Sequence, residues 1–196
     1  MKANSSSDDV IRRFASKGIF PYQMAFTLLI PLRNLFLSPQ KLIKRLSLEP
    51  NHRVLEVGPG PGYFSVPIAM FLKQGQLVLA DIQTEMLVLA KRRLQRRRID
   101  NVEYYHCNGN SFSFPDQVFD RIFLVTVLGE VENKEVYMSE FYRMLSPNGM
   151  LSISELAGDP DRLESNQVIA LALKAGFNEF VQYGSSRNYT LNCLKM

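Results

Sequence analysis

The sequence predicts an α/β fold: a doubly wound, mostly parallel seven-stranded sheet with its last strand antiparallel, preceded by an N-terminal helical segment. Three observations carry this. From about residue 53 onward, short apolar runs alternate with amphipathic stretches, the pattern of strand–helix–strand units that place a parallel sheet between two helical layers. The first run, Val54-Leu55-Glu56-Val57, turns through Gly58-Pro59-Gly60-Pro61-Gly62, with glycine at every second position, into a helix. The chain closes on two strand-like runs joined by Gly184-Ser185-Ser186, which read as a hairpin and so demand antiparallel neighbours.

Met1 to Asp9 is polar and serine-rich and reads as a disordered tail. From Ile19 to Leu37 the chain is strongly apolar, broken by Pro21, Pro31 and Arg33. Its longest uninterrupted stretch falls short of the ~20 residues a spanning helix needs, so no transmembrane segment is expected. Residues 10–47 are read as an N-terminal helical segment, with three roles open: packing on the domain, a lid over an apolar ligand, or peripheral membrane contact. Residues 48–196 form the main domain.

Ser38-Pro39 starts a helix through Leu46, and Glu49-Pro50-Asn51 is a turn into the first strand. Tyr63 to Leu72 is helical, with Pro67 near its start. Gln76 to Ala80 is a second strand ending at Asp81. Thr84 is expected to cap a helix running to about Arg98, with Met86, Leu87, Leu89, Ala90 and Leu94 on its buried side. Asn101 to Cys107 and Phe119 to Val127 are the third and fourth strands. Glu132 to Leu145 reads as a helix stopped by Ser146-Pro147-Asn148-Gly149, and Met150 to Ser154 as a fifth strand reaching Glu155. A helix from Ser165 to Ala175 ends on Gly176. Phe177 to Gln182 and Asn188 to Leu194 complete the sheet.

With 196 residues, 21% charged and 46% apolar, the chain is long enough for a sizeable core and too apolar for a disordered protein. The net charge of +4 owes much to one run, Lys91-Arg92-Arg93-Leu94-Gln95-Arg96-Arg97-Arg98. It reads either as a solvated helix face whose cations complement the helix dipole or as a patch for anionic lipid or nucleic acid. Cys107 and Cys193 have neither metal-ligand spacing nor a disulfide framework, so no metal is expected and both read as buried thiols in a reducing cytoplasm.

In a doubly wound sheet, ligands bind outside the carboxyl ends of the strands where the strand order reverses. Gly58, Gly60, Gly62, Asp81, Asn108, Gly109, Val125 to Glu130 and Glu155 all fall at that edge. A dinucleotide turn, G-x-G-x-x-G, would need glycine where Tyr63 stands. The G-x-G-x-G observed, with Glu56 two residues before its first glycine, instead resembles the first motif of class I S-adenosylmethionine (SAM)-dependent methyltransferases. The resemblance spans roughly Glu49 to Met196 and points to the small methyltransferases that include quinone-biosynthesis enzymes.

That resemblance implies a Rossmann-like methyltransferase fold and SAM as cofactor. Glu56 and the three glycines would surround the methionyl part, Asp81 would accept from both ribose hydroxyls, and Ile82 would pack against adenine. Asn108 stands where the family usually has Asp and would accept from the adenine amino group; Gly109 and Val125 complete the implied cofactor set. Duller roles stay open: Glu56 as a partner for backbone donors near the turn, Asp81 as a helix cap. Asp120 reads as structural, His106 as a satisfied buried histidine, and His52 lies at the wrong end of the sheet.

Methyl transfer from a sulfonium needs alignment more than covalent help. A hydroxyl acceptor also needs a base, and Glu130 is the first choice, ahead of Glu155 and Asp159, because the run Leu124 to Leu128 and the N-terminal segment could desolvate it. The apolar N-terminal segment points to a small apolar acceptor, quinone-precursor-like or lipid-like. The alternatives are a nucleic-acid or protein methyltransferase, or a SAM-binding module without turnover. Against a nucleic-acid substrate, the chain lacks an Asn/Asp-Pro-Pro-Tyr motif after the fourth strand.

Overall fold

A computed structural model describes residues 37–109 and 111–196. The expected tail at 1–9 and the apolar segment from Ile19, apart from Leu37, lie outside these residues. The strands are β1 (Arg53–Val57), β2 (Gln76–Asp81), β3 (Val102–His106), β4 (Phe119–Val125), β5 (Leu145–Glu155), β6 (Glu179–Gly184) and β7 (Tyr189–Leu194). They form one sheet in the order β3-β2-β1-β4-β5-β7-β6. The first five are parallel, and β7 runs antiparallel to both β5 and β6. The expected doubly wound sheet with an antiparallel last strand is therefore present. The chain steps outward from β1 to β3 and then returns to the other side of β1, so the order reverses between β1 and β4.

The helices are α1 (Pro39–Arg45), α2 (Ser65–Phe71), α3 (Thr84–Gln95), α4 (Lys134–Met144) and α5 (Ser165–Ala175). Leu77, Val78, Leu79 and Ala80 of β2 are fully buried, as a strand covered on both faces requires. On one face Leu55, Ile122, Leu151 and Ile153 pack with Met138 and Phe141 of α4 and Val168 and Ala172 of α5. On the other, Val54, Leu77, Leu79 and Phe123 pack with Leu42 and Leu46, Ile68 of α2, and Leu87 and Leu94 of α3.

Helix α1 is part of that second core. Ser38 caps it, accepting from the Lys41 amide at 3.2 Å. Leu37, Leu42 and Leu46 are fully buried. Its end is tied down by Arg121, whose Nε donates to the Leu46 carbonyl (2.8 Å), and by Asn192, whose Nδ2 donates to the Arg45 carbonyl (2.7 Å). The Arg45 guanidinium donates in turn to Thr190 Oγ1 at 2.7 Å. The described end of the 10–47 segment is thus a wall of the domain.

Several expected boundaries move, each for a local reason. Helix α3 stops at Gln95, not Arg98: the Arg98 amide bonds the Gln95 carbonyl (2.9 Å), the Ile99 amide bonds the Leu94 carbonyl (3.2 Å), and Arg98 sits at φ +55°. That is a left-handed helix terminator with arginine where glycine is usual. Thr84 is the first helical residue rather than the cap; Asp81 Oδ1 instead accepts from the Gln83 amide at 2.9 Å. Leu89 is only half-buried. Strand β4 ends at Val125 because Thr126 turns away at φ +55°. Leu145 leaves the helix to pair with Phe119, and Ser146 to Gly149 bulge out before pairing resumes at Arg121 and Met150. His106 is exposed, not buried, with Nε2 3.0 Å from the Ile82 carbonyl. Asp120 is structural as expected, its Oδ2 accepting from the Arg53 amide at 2.7 Å.

If α1 belongs to the core, Leu42→Ala leaves a cavity and lowers stability by about 2–5 kcal/mol in urea unfolding. A loss below about 1 kcal/mol would mark α1 as a separable flap.

Candidate functional site

The site is the carboxyl edge of β1, β2 and β4. Gly58, Gly60 and Gly62 all adopt positive φ (+65°, +53° and +82°), so the loop after β1 is a run of left-handed turns. Gly58 is fixed on two sides: its amide donates to the Ala80 carbonyl at 2.8 Å, and a Cβ there would stand 2.5 Å from Val127 Cγ2. A side chain at 58 would push apart the loops that follow β1 and β4.

Two acids flank this loop. Glu56 is 3% exposed, and burial pushes its carboxyl up to about 8; the nearby Ser65 hydroxyl eases this and the Asp81 charge adds to it. Neither Glu56 Oε2 nor Ser65 Oγ completes a hydrogen bond among the described residues. A buried carboxylate oxygen without a donor is costly, and a bound group with N–H or O–H donors would relieve it. Asp81 is 7% exposed, and its carboxyl is pushed up to about 6 by burial, against the lowering effect of the Gln83, Ile82 and Gly60 amides and of His106.

Beyond Asp81, Ile82 is exposed, and its Cγ2 lies 3.8 Å from where a Cβ on Gly109 would be. The two residues are therefore neighbours, with the apolar Ile82 side chain exposed beside Gly109. Asn108 is exposed, and its Oδ1 accepts from the Ser111 amide at 3.1 Å, so this oxygen already closes the turn after β3. The expected set of Glu56, the glycine loop, Asp81, Ile82, Asn108, Gly109 and Val125 thus comes together at the edge of three adjacent strands and the turn after β3. Glu130 lies further along, half-buried in the 3₁₀ turn Leu128–Glu130, its amide bonded to the Val127 carbonyl at 3.0 Å.

Sequence reasoning missed three contributors, Ser65, Glu140 and Arg143. Ser65, fully buried at the start of α2, lies by Glu56. Thr126 and Val127, within the expected stretch Val125 to Glu130, shape the β4 side. The pair Glu140 and Arg143 clamps the loop carrying Asn108 and Gly109: Arg143 donates to the carbonyls of Phe112 (3.1 Å) and Phe114 (2.8 Å), and Glu140 Oε2 accepts from the Phe112 amide (3.2 Å). Their spacing of three on a helix was a visible sign of pairing, but not of what the pair holds.

The Glu56 environment sets a pH signature. A carboxyl raised from 4.5 to about 8 keeps its proton in the folded state while the unfolded chain gives it up, so stability falls as pH rises between those values. Glu56→Gln removes this loss. The variant is expected to match the parent near pH 4.5 and to exceed it at pH 8 by an amount on the order of 3 kcal/mol in denaturant midpoints, while losing ligand affinity. Equal midpoints at pH 8 would refute the buried-acid account.

The family model described as a methyltransferase domain matches residues 55–153, which hold the end of β1, the glycine loop, β2 to β4 and most of β5. The ubiquinone/menaquinone biosynthesis C-methyltransferase UbiE of Pectobacterium carotovorum is 32% identical over 109 residues, covering 55% of this chain and 43% of that protein. The chain spans about half the length of the curated relatives it matches. Among solved structures, a SAM-dependent methyltransferase from Aquifex aeolicus superposes with a TM-score of 0.84 at 21% identity, over 91% of this chain and 100% of that one. The [4+2]-cyclase SpnF superposes at 0.70 with 17% identity, over 80% of this chain, so the fold also hosts a reaction that is not methyl transfer. By the match across half its length, which takes in the glycine loop and the strands that carry the site, the chain belongs to the methyltransferase domain family.

Proposed function

We propose that this protein binds SAM and transfers its methyl group to a small, largely apolar acceptor of the quinone-precursor or lipid kind, in the cytoplasm. The observation that carries the reading is the buried, unsatisfied Glu56 oxygen beside a left-handed glycine loop, one strand from Asp81. In this reading Glu56, Gly58, Gly60 and Gly62 hold the methionyl part, Asp81 takes the ribose hydroxyls, and Ile82 and Gly109 flank the adenine. Asn108 offers that base only the lone pair left after its bond to Ser111, and Val125 closes the β4 side. SAM supplies an already activated methyl group, so the chain's task is to align the acceptor and keep water out. Glu130 is the base at the mouth.

The acceptor class rests on the UbiE relatives, named for ubiquinone and menaquinone biosynthesis. Among the described residues no helix is long and apolar enough to cross a membrane. A nucleic-acid substrate fits less well. The Lys91 to Arg98 run sits at the far end of α3, and a 12-residue helix that begins at the carboxyl edge carries its last turn roughly 18 Å from it. The second reading, SAM binding without methyl transfer, draws on the cyclase that shares the fold.

Calorimetric titration with SAM and an assay for S-adenosylhomocysteine separate these readings. Asp81→Ala is expected to weaken SAM binding by about 1.5–3 kcal/mol, the scale of charge-assisted hydrogen bonds, with the fold retained; affinity within twofold of the parent would remove Asp81 from the ribose. Gly60→Val is expected to abolish SAM binding, because Gly60 sits at φ +53°, which a branched side chain adopts only with strain that would reshape the loop. Normal binding by that variant would place the cofactor elsewhere.

A further inference from the structure

The cation run that the crevice leaves unused forms one continuous surface on the helical layer of α2 and α3. Val88, Lys91, Arg92, Gln95 and Arg96 are all exposed, at spacings that line them up along the outer side of α3. Met86, Leu87, Ala90 and Leu94 face the core beneath them. The chain then leaves the helix through the left-handed Arg98, so exposed Arg97 and Arg98 gather at the end of the stripe. Asn101 joins this turn to α2: its Nδ2 donates to the Ala69 carbonyl (3.0 Å) and to the Leu72 carbonyl (2.6 Å). The last turn of α2 carries Met70, which is 60% exposed, and exposed Lys73 follows it.

The charge on this surface is uncompensated. None of the six cations from Lys91 to Arg98 forms an ion pair among the described residues. They exceed the chain's whole net charge of +4, so the rest of the molecule is net negative and the charge is polarised toward this side. Arg93 shows the cost locally. It is half-buried, its Nε has no hydrogen-bond partner, and Arg97 stands one turn further along the chain. Burial lowers its pKa and the Arg97 charge lowers it further, against the raising effect of Tyr63. Cations that merely complement a helix dipole need no orphaned, half-buried guanidinium beside a second one. An anionic oxygen bound there supplies the missing acceptor and relieves the repulsion.

We propose that the outer side of α3, with Met70 and Lys73 at the end of α2, is a docking surface for an anionic lipid bilayer. The arginines take lipid phosphate and carboxylate groups, and Met70 enters between the headgroups.

The surface suits a bilayer better than a nucleic acid. An exposed thioether chain among cations gains nothing from a hydrated phosphate backbone but gains burial at the headgroup boundary. The aromatic rings that could stack on bases are engaged: Lys91 Nζ lies 5.4 Å from the Tyr104 ring centroid, and Tyr63 packs edge-on against Phe64 at 4.9 Å. The face is also the convex outside of a single helix, which meets a flat surface along its length. Its role is placement. It holds the molecule where apolar compounds partition, without contributing to the crevice, and it does not depend on the methyl-transfer reading.

The test is co-sedimentation of the full chain with vesicles of phosphatidylcholine, alone or with about 30% phosphatidylserine. Binding is expected to the anionic vesicles in about 0.1 M salt, with release in about 0.5 M salt. The triple variant Arg92→Gln, Arg96→Gln, Arg97→Gln is expected to lose about 100-fold in vesicle affinity, about fivefold for each cation. The same three positions changed to lysine should keep the affinity within about threefold, because a bilayer reads charge rather than guanidinium geometry. Thermal midpoint and SAM affinity should stay at the parent's values in both, since none of these residues touches the crevice. Four outcomes overturn the proposal: no binding to anionic vesicles, equal binding to neutral ones, full affinity in the glutamine variant, or tighter binding to a mixed-sequence RNA duplex at equal phosphate concentration. Should the glutamine variant not fold, the parent's salt response decides, release supporting the proposal and retention overturning it. Met70→Ser is expected to weaken binding by about threefold or more, and an unchanged affinity removes Met70 from the contact. A parent that docks on vesicles but binds no SAM would sink the methyltransferase reading and leave this one standing.

Discussion

The functional edge depends on β1 lying in parallel register between β2 and β4. Val54 to Val57 pair on one side with Leu77 to Ala80 and on the other with Arg121 to Leu124. A strand so held cannot shift without reversing which side chains face each core. The chain leaving β1 must pass between the ends of its two neighbours, and only a residue without a Cβ fits at position 58, hydrogen-bonded to Ala80 and pressed on Val127. That contact sets the distance between the Asp81 side of the crevice and the Val125 side. A glycine whose role might be assigned to a ligand is first a spacer between two loops of the protein.

Two acids with unsatisfied oxygens sit at this edge, one per face. Glu56 is in register with Phe123 and Ser152, on the side packed by α1, α2 and α3, while Glu155 shares its side with Ile153 and Leu151, under α4 and α5. Both carboxyls are pushed up to about 8 by burial. Each therefore weakens the fold as pH rises, and the large apolar cores on both faces must offset that. Groups that cost stability and gain partners only when something binds are what a site built for ligands looks like in free energy.

Most of the architecture was legible because the strands are apolar on both faces and the helices on one, so the change from a continuous apolar run to a 3.6-residue apolar period marks each element. The glycine loop, Asp81 and the closing hairpin were legible for the same reason: their residue types are tied to turn geometry. What could not be read was decided by contacts distant in sequence or by residues that adopt unusual backbone angles without advertising it. Ser47, Arg98 and Thr126 take left-handed φ where glycine would have been the sign. His106 reads as buried from its place within a strand, but that strand is β3, the edge strand of the sheet, where one side is open. Leu145 reads as helical because the breaker cluster Ser146-Pro147-Asn148-Gly149 begins only after it, but its pairing partner Phe119 lies more than twenty residues earlier. The grip of Arg143 on the loop after β3 is equally long-range.

The chemistry and the excess charge of this molecule occupy opposite edges of the sheet, which bears on how an acceptor is chosen. The six cations of the Lys91 to Arg98 run make no ion pair among the described residues, yet they stand where α3 ends, near the amino ends of the strands. Attraction to a polyanion there would hold it away from the crevice, since screening confines its reach to about 8–10 Å. Selectivity must come from the carboxyl edge itself. On its β1–β2 half, the glycine loop and Asp81 can make the same contacts whatever acceptor is used. On the β4–β5 half, Glu155 is fully buried beside Tyr189 of β7, with the charges of Asp159, Arg162, Glu130 and Lys134 acting on its carboxyl. Any discrimination between acceptors therefore falls to the residues along that edge and not to the cation run, which lies beyond its electrostatic reach.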